Sequence, residues 1–359
     1  MTDYFEYDKG DHVDTGIGGK RLVKSATAIP GSFDAIPIID LTNMCSPHLE
    51  QRKSVAIEIF NACTNVGFFY IKNHGVPQEL VDGAFGEARR FFHELSDQQK
   101  MELDISKNTE FYGYAPIRST PAATGQVRRR LFESINFGYE PQFDDAAVGS
   151  EDNGPSFWPK EEELPAFKRN LGEYYRSVMN LSRNLLRMFA LGLDLDEDFF
   201  DQFFKRPGVL LKLNHYPRSL PLDDDAARDA GIGAHSDLES FTILAQDEVK
   251  SLEVLSKDGQ WVEAKPVRGT FVVNIGDAMA MWTNDLFLST IHRAFNREGK
   301  ARYSIPFFFG ADYNAVMETL PSCITAARPV KYKPITAGEH VRMKLNLTYP
   351  KDTPQAVIA

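Results

Sequence analysis

The chain has 359 residues, 43% of them hydrophobic and 25% charged, which is the make-up of an ordinary globular protein and excludes a disordered or fibrous one. At that length, one large domain or two are possible. The formal net charge of −10 argues against nucleic acid or an anionic membrane as the main partner, but leaves room for a small anion in a local basic pocket.

The first residues, Met1-Thr2-Asp3-Tyr4-Phe5-Glu6, are acidic and lack the basic and apolar stretches of a signal peptide. No apolar run approaches the roughly 18 residues of a membrane span, so a cytoplasmic protein without membrane contact is expected. Residues 1–34 are polar and glycine-rich and read as an arm draped over the core. Gly16-Ile17-Gly18-Gly19-Lys20 lacks the spacing and the preceding strand of a phosphate loop, and is read as plain loop. Ile36-Pro37-Ile38-Ile39-Asp40 predicts a short strand. Ser46-Pro47 then offers an N-cap and a first-turn proline to a helix with Val55, Ile59, Cys63 and Val66 on one stripe. Gly67 ends it, Phe68-Phe69-Tyr70-Ile71 predicts a strand, and Asn73 to Pro77 turn into a second amphipathic helix bearing Leu80, Ala84, Ala88, Phe91 and Leu95. His74 lies in that turn and is read as stabilising it. Cys45, Cys63 and Cys323 are far apart, without metal-ligand spacing, and read as reduced thiols.

Residues 104–140 are less regular, and the aromatic, glycine-punctuated stretch Phe111-Tyr112-Gly113-Tyr114-Ala115-Pro116 suits a pocket lining or a lid. Arg128-Arg129-Arg130 reads as a solvated face. Residues 142–156 are acidic loop, and Lys160 to Leu191 carry the longest helical pattern, with Phe167, Leu171, Tyr174, Val178, Leu181, Leu185 and Phe189 as its apolar stripe. After about residue 208 the period changes to that of strands. Val209 to Tyr216 alternate, placing Lys212, Asn214 and Tyr216 on one face. Short strands follow at Phe241–Ala245, Leu252–Leu255, Trp261-Val262, Phe271–Ile275, Ile291–Phe295 and Tyr303–Phe309, with an Asp258-Gly259 hairpin turn among them. Residues 336–347 return to a helical pattern. The expected fold is mixed α and β: a mainly helical region over 35–207, then a double-sheet sandwich or barrel over 208–359 closed by a C-terminal helix.

The chemistry concentrates in Gly233-Ala234-His235-Ser236-Asp237, in His292 and in Arg302-Tyr303-Ser304. His235 and Asp237 are two apart, so on extended backbone they share a face, and His292 completes a set of two imidazoles and one carboxylate. That set, with positions left open, suits non-haem ferrous iron and the binding of a chelating co-substrate and dioxygen. His292 is expected on a strand facing His235 across the sandwich. Arg302 and Ser304 share a strand face, and a guanidinium fork with a hydroxyl suits a carboxylate. Tyr216 is placed to donate to the same carboxylate, with Asn214 nearer the metal. His215 points the other way. His12, His48, His93 and His340 lack ligand-like neighbours.

These residues resemble the isopenicillin-N-synthase-like branch of the iron(II)/2-oxoglutarate-dependent dioxygenases, over nearly the whole chain. The resemblance rests on Ile36–Asp40, Gly67 to Val76, Leu213-Asn214-His215-Tyr216-Pro217, and above all on His235-x-Asp237, His292 and Arg302-x-Ser304. It implies a distorted jelly roll flanked by helices, with iron ligated by His235, Asp237 and His292. It also implies 2-oxoglutarate held by Arg302, Ser304, Tyr216 and Asn214. The reaction implied is oxidative decarboxylation of 2-oxoglutarate to succinate and carbon dioxide, coupled to oxidation of an unactivated C–H bond by hydroxylation, desaturation or ring rearrangement. Positions matching the family's substrate-facing ones are Lys212, Ile135, Phe137 and Phe308, with Tyr112, Tyr114 and Arg118 added from the lid-like stretch. Plant flavonoid enzymes of this family often carry an acidic residue where Gly310 stands, a departure that disfavours a flavonoid substrate. A small natural-product-like substrate, aromatic or anionic, is expected, and no protein partner is evident.

Three other readings remain open on the sequence. An oxidase of the isopenicillin N synthase type would keep the Arg-x-Ser without needing 2-oxoglutarate. A binding protein could retain the jelly roll without the chemistry. A zinc hydrolase could use two His and one Asp, but would have no use for the Arg-Ser clamp.

Overall fold

The computed structural model describes residues 12–14, 20–23, 36–107, 112–121, 127–130, 132–147, 154–218, 231–296 and 298–348. In chain order, strands β1 (His12–Asp14) and β2 (Lys20–Leu22) pair with each other. Then come β3 (Ile38–Asp40), α1 (Leu49–Asn65), β4 (Phe68–Lys72), α2 (Gln78–Glu94) and α3 (Asp97–Glu102). β5 (Gly113–Ala115), β6 (Arg118–Pro121), β7 (Val127–Arg130) and β8 (Glu133–Phe137) precede the long α4 (Phe167–Gly192). β9 (Gly208–Tyr216), β10 (Gly231–His235), β11 (Phe241–Gln246), β12 (Leu252–Leu255), β13 (Trp261–Glu263) and β14 (Thr270–Ile275) follow. The described chain ends with α5 (Asp277–Trp282), β15 (His292–Phe295), β16 (Arg302–Gly310), β17 (Val316–Met317), β18 (Ile335–Thr336) and α6 (Ala337–Thr348).

An eight-stranded sheet, in the order β3-β4-β14-β11-β16-β9-β8-β5, faces a four-stranded sheet, β10-β15-β12-β13. Only β3 and β4 run parallel within these sheets; every other pair is antiparallel. This is the expected jelly roll, distorted by unequal sheets. The large sheet is apolar on its outer face because alternate residues there are Phe69, Ile71, Ile243, Val273, Leu211, Leu213, Ile305, Phe307 and Phe309. Against that face lie the buried stripes of α1, α2 and α4, including Val55, Ile59, Phe91, Leu171, Val178, Leu185 and Phe189. Burying each such side chain contributes ~1.5–3 kcal/mol, so this helix–sheet layer is the main core.

The inner face is divided. At the β4–β14 end Phe68, Tyr70 and Val272 meet Leu252, Val254 and Val262 of the small sheet in a second apolar cluster. Toward β9 and β16 the inner residues become polar, and the site lies there.

Two helix starts differ from expectation. α1 begins at Leu49 rather than at Pro47, because the Ser46 hydroxyl accepts the His48 N–H at 3.1 Å and bonds the Gln51 side chain, closing a turn ahead of the helix. α4 begins at Phe167, since Pro165 and left-handed Ala166 (φ 63°) interrupt the pattern that starts at Lys160. His74 does stabilise its turn, accepting the Val76 N–H at 3.2 Å.

Candidate metal centre

β10 and β15 come unusually close. A Cβ on Gly231 would lie 1.7 Å from the Ala294 carbonyl oxygen, so only glycine permits this pairing. The register then places His235 directly opposite His292, with a bulge between Ile232 and His235 that turns the end of β10. The ring centroids are 4.2 Å apart. His292 therefore comes from the adjoining strand of the same small sheet, not from across the sandwich. The across-sandwich expectation fails because strand pairing over this sequence distance leaves no local trace.

Asp237 lies two residues past the end of β10, with its Oδ1 3.6 Å from Nε2 of each histidine. The three ligand atoms all lie within 4.8 Å of one another, and all three residues are buried. The backbone loop carrying them is pinned: Asp277 N donates to the Asp237 carbonyl at 2.8 Å and Ser240 N to the Phe309 carbonyl at 3.1 Å.

Hydrogen bonds decide which atoms are free. Nδ1 of His235 is 2.9 Å from the Gly233 carbonyl, and Nδ1 of His292 is 3.2 Å from the Thr290 carbonyl. A carbonyl only accepts, so each ring carries its proton on Nδ1 and turns the Nε2 lone pair inward. Asp237 Oδ2 accepts from Thr242 Oγ1 at 2.6 Å and Asn274 Nδ2 at 2.7 Å, which leaves Oδ1 as the outward oxygen. Burial, reinforced by the neighbouring His292, pushes the His235 imidazolium down to about 3, so the ring is neutral and ready to ligate. Burial works against the Asp237 carboxylate, but the two imidazoles, Asn274 and Thr242 outweigh it and hold its pKa below the ordinary value. Two imidazole nitrogens and one monodentate carboxylate oxygen on one side is the donor set of a mononuclear ferrous centre.

The neighbouring wall of the large sheet pairs Arg302 with Tyr216 and Ser304 with Asn214. Arg302 is 1% exposed, yet its Nε and Nη1 find no partner among the described residues. Its guanidinium lies 4.8 Å from the Tyr216 ring centroid, and that ring stacks on Phe132 at 5.0 Å. Asn214 Nδ2 donates to Ser304 Oγ at 3.3 Å, and Asn214 Oδ1 has no partner among the described residues. A buried cation with open donors carries a large desolvation cost until an anion meets it. The wall therefore fits a carboxylate such as that of 2-oxoglutarate.

The predicted substrate residues divide by strand parity. Lys212 is buried on the same face as Asn214, and Phe308 on the same face as Ser304. Ile135 and Phe137 do not join them: they oppose Leu213 and Leu211, which point to the helices, and Phe137 stacks on Trp158 at 4.2 Å. Tyr114 opposes Ile135 and so faces the helix side too, bonding Glu133 at 2.6 Å. The inward residues of β8 are Ser134 and Asn136, opposite Asn214 and Lys212. Tyr112 lies across Gly138 just beyond β8. The Arg118 side chain lies outside the described residues. His215 turns away as expected, bonding Glu133 at 2.7 Å and stacking on Tyr303 at 4.8 Å.

Sequence reasoning passes over Thr242, Asn274, Ser134, Asn136 and Glu239. Thr242 within Phe241-Thr242-Ile243 and Asn274 within Val273-Asn274-Ile275 share one signal, a lone polar residue in an apolar strand. Glu239 stands just past the ligand Asp237 on the loop before β11. Burial and the nearby Asp237 charge push its carboxyl up to about 7, while Lys212 pulls it the other way, and the side chain keeps some exposed surface.

Comparison with known proteins agrees with this geometry. Residues 36–161 match the non-haem dioxygenase in morphine synthesis N-terminal family, and residues 208–311 match the 2OG-Fe(II) oxygenase superfamily. The chain is 36% identical over 319 residues to the 2-oxoglutarate-Fe(II) type oxidoreductase hxnY of Emericella nidulans, covering 88% of this chain and 90% of that one. It is 31% identical over 315 residues to kihadalactone A synthase of Citrus sinensis, covering 85% and 91%. It also resembles the crystal structure of a full-length Neurospora crassa protein in complex with alpha-KG and thymine, with a TM-score of 0.78 and 27% identity over 91% of this chain and 100% of that one. These relationships set aside the hydrolase, the bare binding protein and the 2-oxoglutarate-independent oxidase. No helix among the described residues is long and apolar enough to cross a membrane. The chain belongs to the 2OG-Fe(II) oxygenase superfamily, as an oxidoreductase that uses iron(II), ligated by His235, Asp237 and His292, together with 2-oxoglutarate.

Proposed function

We propose that the protein oxidises an unactivated C–H bond of a small natural-product-like molecule, with Arg302, Ser304, Tyr216 and Asn214 holding 2-oxoglutarate. The observation that carries this is the buried Arg302 guanidinium with two open nitrogens, on a strand face shared with Ser304. In this arrangement Arg302 and Ser304 bind the far carboxylate, and Tyr216 stacks under the guanidinium and fixes its plane. Asn214 orients the Ser304 hydroxyl. The bound iron supplies dioxygen activation and the oxidative decarboxylation of 2-oxoglutarate. The protein's part is to hold both partners on one face and to keep water out, with apolar strands on either side of the site.

Lys212 and Phe308 form the next section of the same face and are the side chains we assign to the substrate. A relative named for kihadalactone A synthesis and a neighbour described with thymine bound support a small organic molecule as the substrate. The test is succinate formation from 2-oxoglutarate by the iron(II)-loaded protein in air, with candidate molecules added singly. The expected result is succinate that rises with one class of molecule and matches an oxidised product one for one. A hydrolysed product, or the same product formed without 2-oxoglutarate, would refute the proposal.

A further inference from the structure

The ladder between β10 and β15 ends at the metal centre. His235 opposite His292 is its last rung, with β10 ending at His235 and β15 beginning at His292. Asp237 and the residues just before His292 therefore lie past the paired backbone, and each segment is seated on a different part of the fold. Ahead of His292, Leu288 N donates to the Cys63 carbonyl at 3.0 Å and Thr290 Oγ1 to the Val66 carbonyl at 2.6 Å. A Cβ on Gly67, where φ is 72°, would lie 2.1 Å from the Leu288 carbonyl oxygen, so this segment sits tightly on the turn between α1 and β4. The Thr290 carbonyl then faces Nδ1 of His292 at 3.2 Å. The segment after His235 rests on α5 instead, with Ala278 N donating to the Leu238 carbonyl at 3.2 Å and Asp277 N to the Asp237 carbonyl at 2.8 Å.

One side chain joins the two. Asp277 Oδ1 accepts from the Ser289 hydroxyl at 2.6 Å, and its Oδ2 accepts from the Ser236 hydroxyl at 3.3 Å. Ser236 stands between the ligands His235 and Asp237, and Ser289 lies just ahead of the ligand His292. The Ser289 bond has the length of a strong hydroxyl–carboxylate contact, and the Ser236 bond is the weaker arm. On that weaker side the backbone bond from Asp277 N to Asp237 adds a second tie. Thr242 and Asn274 orient one ligand oxygen, whereas Asp277 acts on the segments that carry all three ligands.

We propose that Asp277 is a positioning residue for the metal centre. Its carboxyl group continues the ladder past its last backbone rung and sets the distance between the His235–Asp237 segment and His292. The inference rests on the metal centre alone and is independent of the substrate. The ordinary role of an acidic residue in the first turn of a helix is electrostatic and needs only its charge. A bridge needs two hydrogen-bonding atoms in the right places. Asparagine separates the two, because it lacks the charge but can accept from one serine through Oδ1 and donate to the other through Nδ2.

The test measures iron(II) affinity of the full-length protein without oxygen, by competition with a chromophoric chelator, beside urea denaturation of the same variants without metal. The expected result is that Asp277→Ala weakens iron(II) binding by about tenfold or more, while Asp277→Asn stays within about threefold of wild type. Ser236→Ala and Ser289→Ala each open the bridge. Their double variant should then fall within about twofold of the weaker single variant, instead of showing the product of the two losses. Wild-type iron affinity in Asp277→Ala overturns the inference. So does an equal loss in Asp277→Asn, which would assign the effect to charge, and so do serine losses that multiply. A role in folding alone would lower the urea midpoint and leave the iron affinity of the folded variants unchanged, which also overturns it. If Asp277→Ala does not fold, the comparison of the single and double serine variants decides by itself.

Discussion

Replacing Arg302 with methionine separates two effects that usually travel together. In the protein without co-substrate, Arg302 is almost fully buried, and its Nε and Nη1 have no partner among the described residues. Its described attachments are to the Tyr216 ring at 4.8 Å, a contact worth ~0.5–2 kcal/mol, and to the nearby Asp247 carboxylate, whose charge it favours against burial. Methionine keeps much of the side-chain volume and removes a cation that is costly to bury, so folding stability should change by less than about 1 kcal/mol or should rise. The co-substrate complex should behave in the opposite way. Two hydrogen bonds from a guanidinium to a carboxylate are worth ~1.5–3 kcal/mol each, so their loss raises the 2-oxoglutarate dissociation constant by at least about a hundredfold. Anaerobic titration of the iron(II)-loaded variant with 2-oxoglutarate, followed by the absorption of the complex, measures the second effect. Urea denaturation of the apoprotein measures the first. A dissociation constant within about threefold of wild type would show that Arg302 is not the clamp. A loss of several kcal/mol in the apoprotein would show that its guanidinium is structurally satisfied after all.

Three further outcomes follow from particular contacts. Thr242→Val with Asn274→Leu strips both donors from Asp237 Oδ2, and should weaken iron(II) binding by about ten- to a hundredfold in a folded protein; retention of wild-type metal affinity would show that Oδ2 needs no anchoring. Phe137→Ala should cost ~3–5 kcal/mol in urea denaturation while leaving the ranking of substrates unchanged, since its ring lies on the helix side; a changed ranking would return Phe137 to the cavity. Burial holds His74 down at about 4, against about 6.5 for a free histidine, and its neutral Nδ1 accepts the Val76 N–H. The folded state thus binds fewer protons than the unfolded state between those values. The stability His74 contributes is complete above about pH 6.5 and declines toward pH 4, with a slope of at most about 1.4 kcal/mol per pH unit. His74→Asn should flatten the pH profile over that window, and an unaltered profile would remove His74 from the account.

The metal ligands, and the strand face that brings Arg302 and Ser304 beside Tyr216 and Asn214, were legible because each is carried by a local pattern: His235-x-Asp237 at the end of a strand, and Arg302-x-Ser304 and Asn214-x-Tyr216 on alternating strands. Alternation within one strand also put Lys212 on the face of Asn214 and Phe308 on the face of Ser304. The errors arose where the reading needed a relation between strands. Which face of β8 looks inward depends on its register with β9, and Glu133↔His215 fixes that register only in three dimensions. One residue of slip exchanges Ile135 and Phe137 for Ser134 and Asn136. The placement of His292 across the sandwich failed for the same reason, since pairing with His235 is set by contact between β10 and β15.

The same parity that hid these residues also ties the site to the core. On β9 and β16 each inward functional residue has an outward neighbour held by the helices. Asn214 and Tyr216 flank His215, which bonds Glu133, and Glu133 in turn bonds Tyr114 and lies 3.5 Å from Lys100. Arg302 and Ser304 flank Tyr303, whose hydroxyl lies 2.6 Å from His93 of α2 and whose ring stacks on His215. A β-strand cannot rotate one side chain without rotating its neighbours the opposite way. The buried network behind the sheet therefore fixes the orientation of the residues in front of it. Stability on the helix side and co-substrate geometry on the inner side are two faces of one constraint.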